Sequence, residues 1–165
     1  MNIDLKLYES IRDSGINLFL TLPDNMIQGL LKIIDEKKEI NQISITREEE
    51  GIGIAVGAYL GGLNPALLIQ NSGLGNSINA IKSLVQLYKI PILLIMSHRG
   101  MEKEKIAAQV PMGQVTLKLL DCINLKTFII STAEMIENIK KAVEYSQDSN
   151  DSVAILLECS LWGEN

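Results

Sequence analysis

Apolar residues recur along this chain in two alternating rhythms. Short continuous runs at 17–22, 43–46, 66–70, 90–96, 126–130 and 152–159 have the length and β-branched content of buried strands. Between them, apolar positions fall three or four residues apart. Leu5, Tyr8 and Ile11 predict a helix over 4–14 that Gly15 stops. Asp24 is placed to cap a second helix over 24–37, with Met26, Ile27, Leu30, Leu31, Ile33 and Ile34 on its inner face. A third helix follows Thr46 and opens on Glu48, Glu49 and Glu50. The spacing then predicts helices over 76–89, 113–122 and 132–146. Strands that alternate with helices imply a three-layer α/β/α fold around a six-stranded, mainly parallel sheet. Ligands of such sheets sit beyond the carboxyl ends of the strands, where the Glu49 helix start, the Gly73 turn and the loop at His98 all fall.

At 165 residues and 18.2 kDa the chain is expected to form one domain, 1–165. Its 47% hydrophobic and 21% charged content excludes a disordered chain. A net charge of -5 argues against nucleic acid or an anionic membrane as a general partner. Cys122 and Cys159 lack the spacing of a metal or redox pair and are expected to be buried, reduced thiols. The first residues do not run from basic to apolar as a signal peptide does, and no apolar run reaches membrane-spanning length, so a cytoplasmic protein is expected.

The densest candidate chemistry lies between Ile43 and Asn79. Gly51, Gly53 and Gly57 in one helix are costly for propensity, which points to tight packing on the sheet or to close approach of a ligand. Three carboxylates at a helix start can also act simply by favourable interaction with the helix dipole. The turn Ser72-Gly73-Leu74-Gly75 lacks both the Lys-Ser/Thr of a P-loop and the third glycine of a dinucleotide fingerprint. After the fourth strand, His98, Arg99, Lys103 and Lys105 concentrate positive charge in an otherwise acidic chain. Asn71 and Gln109 are uncharged candidates for orienting a ligand there. The alternative for the four cations is a solvated loop charge, and for Asn71 and Gln109 an ordinary loop hydrogen bond.

Arg47-Glu48-Glu49-Glu50-Gly51, with Tyr59 ten residues after Glu49, resembles the helix start of the pyrimidine-binding domain of thiamine-diphosphate (ThDP) enzymes. Asn71-Ser72-Gly73-Leu74-Gly75-Asn76 resembles that domain's Ser-Gly-Pro-Gly turn, with Leu in place of Pro. Glu48 and Glu50 replace the family's His and Gln, so no flanking histidine is available for a proton relay. Together with Tyr88-Lys89-Ile90-Pro91, Ser97-His98-Arg99-Gly100, Glu104-Lys105-Ile106 and Ala108-Gln109-Val110-Pro111-Met112-Gly113, the chain is similar over nearly its whole length to sulfopyruvate decarboxylase alpha subunits. It is more loosely similar to phosphonopyruvate decarboxylases.

This resemblance implies that Glu49 hydrogen-bonds the pyrimidine of ThDP and that Ser72, Gly73, Leu74 and Gly75 wall the cofactor. It also implies that Asn71, His98, Arg99, Lys105 and Gln109 face the substrate. The Gly-Asp-Gly and later Asn that hold Mg²⁺ and the diphosphate do not occur here, which implies a separate diphosphate-binding beta subunit and a site at the interface, with self-association of this chain as well. The implied reaction is non-oxidative decarboxylation of 3-sulfopyruvate to sulfoacetaldehyde, on the route to coenzyme M. The alternatives are the same chemistry on phosphonopyruvate, a non-catalytic α/β ligand-binding module, or a flavodoxin-like nucleotide binder.

Overall fold

The computed structural model describes residues 2–37, 41–102 and 104–163. Lys103, counted above among the loop cations, lies outside the described residues. The strands are β1 (Leu18–Thr21), β2 (Asn41–Ser44), β3 (Pro65–Gln70), β4 (Leu93–Ser97), β5 (Lys126–Ile130) and β6 (Val153–Leu157). They form one sheet in the order β2-β1-β3-β4-β6-β5. Every pairing is parallel, so the expected parallel sheet is present throughout. The chain winds outward from β1 in one direction and returns through β3 in the other, which opens a crevice at the carboxyl ends.

The helices are α1 (Ile3–Asp13), α2 (Gln28–Glu36), α3 (Glu48–Leu60), α4 (Gly73–Ala80), α5 (Val110–Cys122) and α6 (Asn138–Ser149). Alternate strand residues point to opposite faces. Phe19, Leu68, Ile95 and Ile155 therefore pack with Tyr8, Leu30 and Ile139 of α1, α2 and α6. Leu20, Leu67, Met96 and Leu156 pack with Ile52, Leu74 and Leu120 of α3, α4 and α5. Among the described residues no helix is long and apolar enough to cross a membrane.

Several boundaries differ from the expectations, each for a local reason. The second helix starts at Gln28, because the Asp24 side chain accepts the Met26 amide at 2.7 Å and closes a turn instead of capping. The fourth strand starts at Leu93, two residues after Pro91, which cannot donate to a ladder. The second strand is 41–44 and lies at the sheet edge, so Ile43 is 40% exposed and the buried residue is Ile45, just past it. A 3-10 turn, Ala133–Glu137, precedes α6. Beyond Ala80, the helix started by α4 widens into a π segment, Ile81–Gln86. Lys82 and Gln86 in that segment donate to the Ile123 carbonyl and so tie it to the end of α5. Cys122 is exposed on the last turn of α5, because Thr116 and Leu120 occupy the inner face, and Cys159 is only partly buried.

Candidate functional site

The carboxyl ends of β1, β3 and β4 and the starts of α3 and α4 meet along one edge of the sheet. Helix α3 opens on an extended Arg47 whose side chain caps nothing. Glu50 takes over that task, because its Oε2 accepts the Thr46 amide at 3.1 Å and the Thr46 hydroxyl at 2.8 Å. These bonds hold the Glu50 carboxyl below its usual range. Glu48 reaches sideways across the start of α4 and accepts from Asn76 Nδ2 at 3.2 Å. Its methylene group occupies the space that a Cβ on residue 73 would need, so Gly73 is required there by contact.

Glu49 is left over. Its Oε1 pairs with Arg47 Nη2 at 2.6 Å in a largely solvent-exposed contact, and its Oε2 is buried without a hydrogen-bond partner. A buried acceptor with nothing to accept is uncommon, because each such group carries its full desolvation cost. Of the glycines in α3, only Gly51 packs closely on the protein itself, since a Cβ there would lie 2.6 Å from Ile45 Cδ1 and 2.7 Å from Leu67 Cδ1. Gly53 and Gly57 face open space, and Leu60 on the last turn is 73% exposed.

The glycine-rich segment expected as a turn before a helix is instead that helix's first turn, since α4 begins at Gly73. One consequence is that Leu74 points into the core and is 1% exposed, so only its backbone can border the crevice. Ser72 Oγ and Gln109 Oε1 both accept from Gln70 Nε2, at 2.6 Å each, which joins the end of β3 to the turn before α5. Gly75 is exposed, with only Met112 Cε near its Cβ position.

The loop after β4 is locked from several sides. Asn71 is buried; its Nδ2 donates to the Arg99 carbonyl at 3.0 Å and to Thr116 Oγ1 at 2.8 Å, while its Oδ1 accepts the Arg99 amide at 3.2 Å. All three bonds serve the fold, so Asn71 is a clamp on the loop and has no donor to spare for a ligand. Gly100 adopts φ +80° and lies so close to Gln109 and Gly113 that no side chain fits, and Gly113 in turn abuts the backbone of Arg99 and Gly100.

His98 differs from its expected role as an exposed cation. Its side chain is 0% exposed, neither ring nitrogen has a hydrogen-bond partner, and the nearest carboxylate oxygen, Glu158 Oε1, is 3.7 Å from Nδ1. Burial lowers its pKa and Glu158 only partly opposes this, so the ring is neutral at neutral pH.

Arg99 is also mostly enclosed, with 13% of its side chain exposed, and it forms a bidentate pair with Glu104: Nε to Oε2 and Nη2 to Oε1, both 2.8 Å. Glu104 also accepts from the amides of Gly100 at 3.1 Å and Ile106 at 3.0 Å, and Arg99 above all pulls its pKa down to about 2. Glu104 was not among the expected site residues. Its only signal in the sequence is an acid five residues beyond Arg99, a spacing too common to stand out. Lys105 is exposed on the same loop. Arg99 and Lys105, with Asn25, Gly29, Cys159 and Trp162, line a cavity of about 680 Å³ at the ends of β1, β4 and β6. Glu49 does not line it; it stands on α3, in the layer on the other face of the sheet.

These features define a doubly wound α/β protein with a buried, unpartnered Glu49 oxygen at the carboxyl edge of its sheet. No family model matches the chain. It is 51% identical over 163 residues to the sulfopyruvate decarboxylase subunit alpha of Methanococcus maripaludis, covering 98% of both chains. It is 36% identical to a sulfopyruvate decarboxylase of Methanosarcina acetivorans, where it covers 98% of itself and 43% of the longer protein. The chain therefore belongs to the sulfopyruvate decarboxylase alpha-subunit family. The fold is shared with a 2-oxoglutarate:ferredoxin oxidoreductase of Magnetococcus marinus at a TM-score of 0.74, over 97% of this chain and 29% of that one, at 11% identity.

Proposed function

We propose that this chain is the alpha subunit of a ThDP-dependent sulfopyruvate decarboxylase, which releases CO2 from 3-sulfopyruvate and yields sulfoacetaldehyde on the route to coenzyme M. The observation that carries this reading is the likeness, end to end, to the Methanococcus maripaludis subunit of that name. The site is consistent with it at the atom that matters. The buried, unpartnered Oε2 of Glu49 is a ready acceptor for a ring N–H, as the pyrimidine of ThDP would supply in its imino form.

When bound, ThDP would supply an electron sink for the pair left on the substrate carbon as the C–CO2 bond breaks. Glu49 shares a proton with the pyrimidine ring nitrogen and so biases the cofactor toward its basic tautomer. Glu48 and Glu50 are occupied with Asn76 and Thr46, which leaves Glu49 as the carboxylate free for that task. The backbone of Ser72, Gly73, Leu74 and Gly75 forms the adjoining wall. Arg99 and Lys105 supply positive charge for the carboxylate and sulfonate of the substrate, and Gln109 helps to orient it. His98 and Asn71 act from behind by holding the loop.

The diphosphate and its Mg²⁺ belong to a beta subunit bearing Gly-Asp-Gly and Asn. The Methanosarcina acetivorans protein, more than twice as long as this chain, fits an arrangement in which both halves are joined. The open glycine face of α3, with Leu60 exposed at its end, suits close approach of another chain, either the beta subunit or a second alpha subunit. A cytoplasmic enzyme follows from its small-molecule chemistry.

The test is decarboxylation of sulfopyruvate and phosphonopyruvate with ThDP and Mg²⁺, using this chain alone and mixed with the beta subunit. Activity confined to the mixture and to sulfopyruvate is expected. Equal turnover of phosphonopyruvate would shift the substrate assignment. Silence from subunits shown to associate would favour a non-catalytic binding module.

A further inference from the structure

The Arg99 guanidinium is immobilised to a degree that an ordinary surface ion pair does not require. Its backbone is gripped on both sides by Asn71, through the amide at 3.2 Å and the carbonyl at 3.0 Å. Its side chain is fixed by two parallel bonds of 2.8 Å to Glu104. Glu104 is held by two further donors, the amides of Gly100 and Ile106, and its side chain is only 6% exposed. Gly100 and Gly113 bring the loop and α5 into backbone contact beneath it. The pair uses one hydrogen on Nε and one on Nη2, whereas a guanidinium carries five such donors. Three remain among the described residues, on a residue that lines, with Lys105 and the acids Asp4 and Glu102, the cavity of about 680 Å³.

We propose that Glu104 is a positioning residue: it aims the unused edge of the Arg99 guanidinium into this cavity so that it meets the second anionic group, the one beyond the 2-oxo carboxylate, of a doubly anionic, short 2-oxo acid. This rests on the decarboxylase reading above. Because the Glu104 carboxylate is itself held by two backbone amides besides Arg99, it serves as a fixed dock for Arg99. The entropy of ordering a long arginine is then met during folding and not again when the substrate arrives. Lys105, exposed on the same loop, adds charge without direction.

The experiment uses the assembled alpha–beta enzyme. In steady state, Glu104→Gln should raise KM for sulfopyruvate about tenfold while changing kcat less than about twofold, the size expected for misplacing one charge-assisted contact. KM for pyruvate, which lacks the second anion, should stay the same. Added guanidinium should partly restore an Arg99→Ala enzyme only while Glu104 is intact, and not the Arg99→Ala/Glu104→Gln double variant. Calorimetric binding of sulfopyruvate to the Glu49→Gln enzyme, with and without Glu104→Gln, reports the same effect without turnover.

Unchanged KM and binding in Glu104→Gln, or equal guanidinium rescue in both backgrounds, would overturn the positioning role and leave the decarboxylase reading intact. Glu104-dependent binding of sulfopyruvate, with no turnover by the enzyme that keeps Glu49, would do the reverse. No binding of sulfopyruvate at all would overturn both. If Glu104→Gln does not fold, Arg99→Lys, which keeps the charge and loses the fork, should show the same KM effect.

Discussion

The start of α3 and the loop after β4 sit on the same edge of the sheet and contain similar residue types, yet the key carboxylate of one keeps an unpartnered oxygen and that of the other is fully bonded. At α3, Glu49 keeps a buried oxygen with no partner, and its neighbouring glycines face open space. In the loop, Asn71, Arg99 and Glu104 satisfy one another through bonds of 2.8 to 3.2 Å. Evidently carboxylates near each other in sequence need not share a purpose. Glu48 and Glu50 are structural, Glu104 docks an arginine, and only Glu49 waits for a donor from outside the chain.

The largest effect that would sharpen this contrast is Glu49→Gln in the assembled enzyme. Turnover should fall about a hundredfold or more, as expected on losing a proton-sharing group. Melting temperature should barely move, because the residue's one bond in the chain is an exposed pair with Arg47. Retained activity would end the idea that the α3 corner is the unfinished half of a catalytic site.

The opposite behaviour is expected of the loop. Gly113→Ala would force a Cβ against the backbone of Arg99 and Gly100 and should destabilise the chain by about 3 kcal/mol. A urea midpoint unchanged from wild type would show that the loop can relax and is less locked than described.

Acid should also tell the two regions apart. Glu104, lowered from 4.5 to about 2, contributes stability that is present above pH 4.5 and is lost as pH falls toward 2. That contribution is on the order of 2 kcal/mol. His98, the chain's single histidine, is buried neutral, so it adds a separate loss that begins as pH falls below 6.5. Urea midpoints measured from pH 8 to pH 3 should therefore decline in two stages. Glu104→Gln should flatten only the lower one and His98→Phe only the upper one. The smallest effect is Thr46→Val, which removes the hydroxyl that donates to Glu50 and should lower the urea midpoint only slightly, with turnover unchanged.

Much of the fold was legible because strands and helices announce themselves by period. The six strands, their alternation with helices and the placing of Glu49, Gly73 and His98 at the carboxyl edge all follow from short apolar runs and helical spacing. Glu49 was legible as a site residue only through the resemblance of its surrounding motif, since three glutamates at a helix start have an adequate structural reason of their own. What failed was everything that depended on the facing residue. His98 reads as a surface cation and is fully enclosed, like Ser97 and Thr116 beside it. The Leu74 side chain packs into the core, which leaves its backbone alone for the expected wall. Cys122 was expected to be buried and is exposed.

By itself, then, the order of residues determined the period of each element, hence the parallel sheet, its two apolar faces and the acidic start of α3. Side-chain direction in a strand or helix follows from position along it, which is local information. Only the tertiary structure decided which of Glu48, Glu49 and Glu50 is free, that Arg99 is docked on Glu104 and that Asn71 spends its amide on the loop. Those outcomes turn on hydrogen-bond geometry, which is decided within tenths of an ångström between segments far apart in the chain, such as Asn71 and Thr116. No pattern along one segment can encode a partner on another.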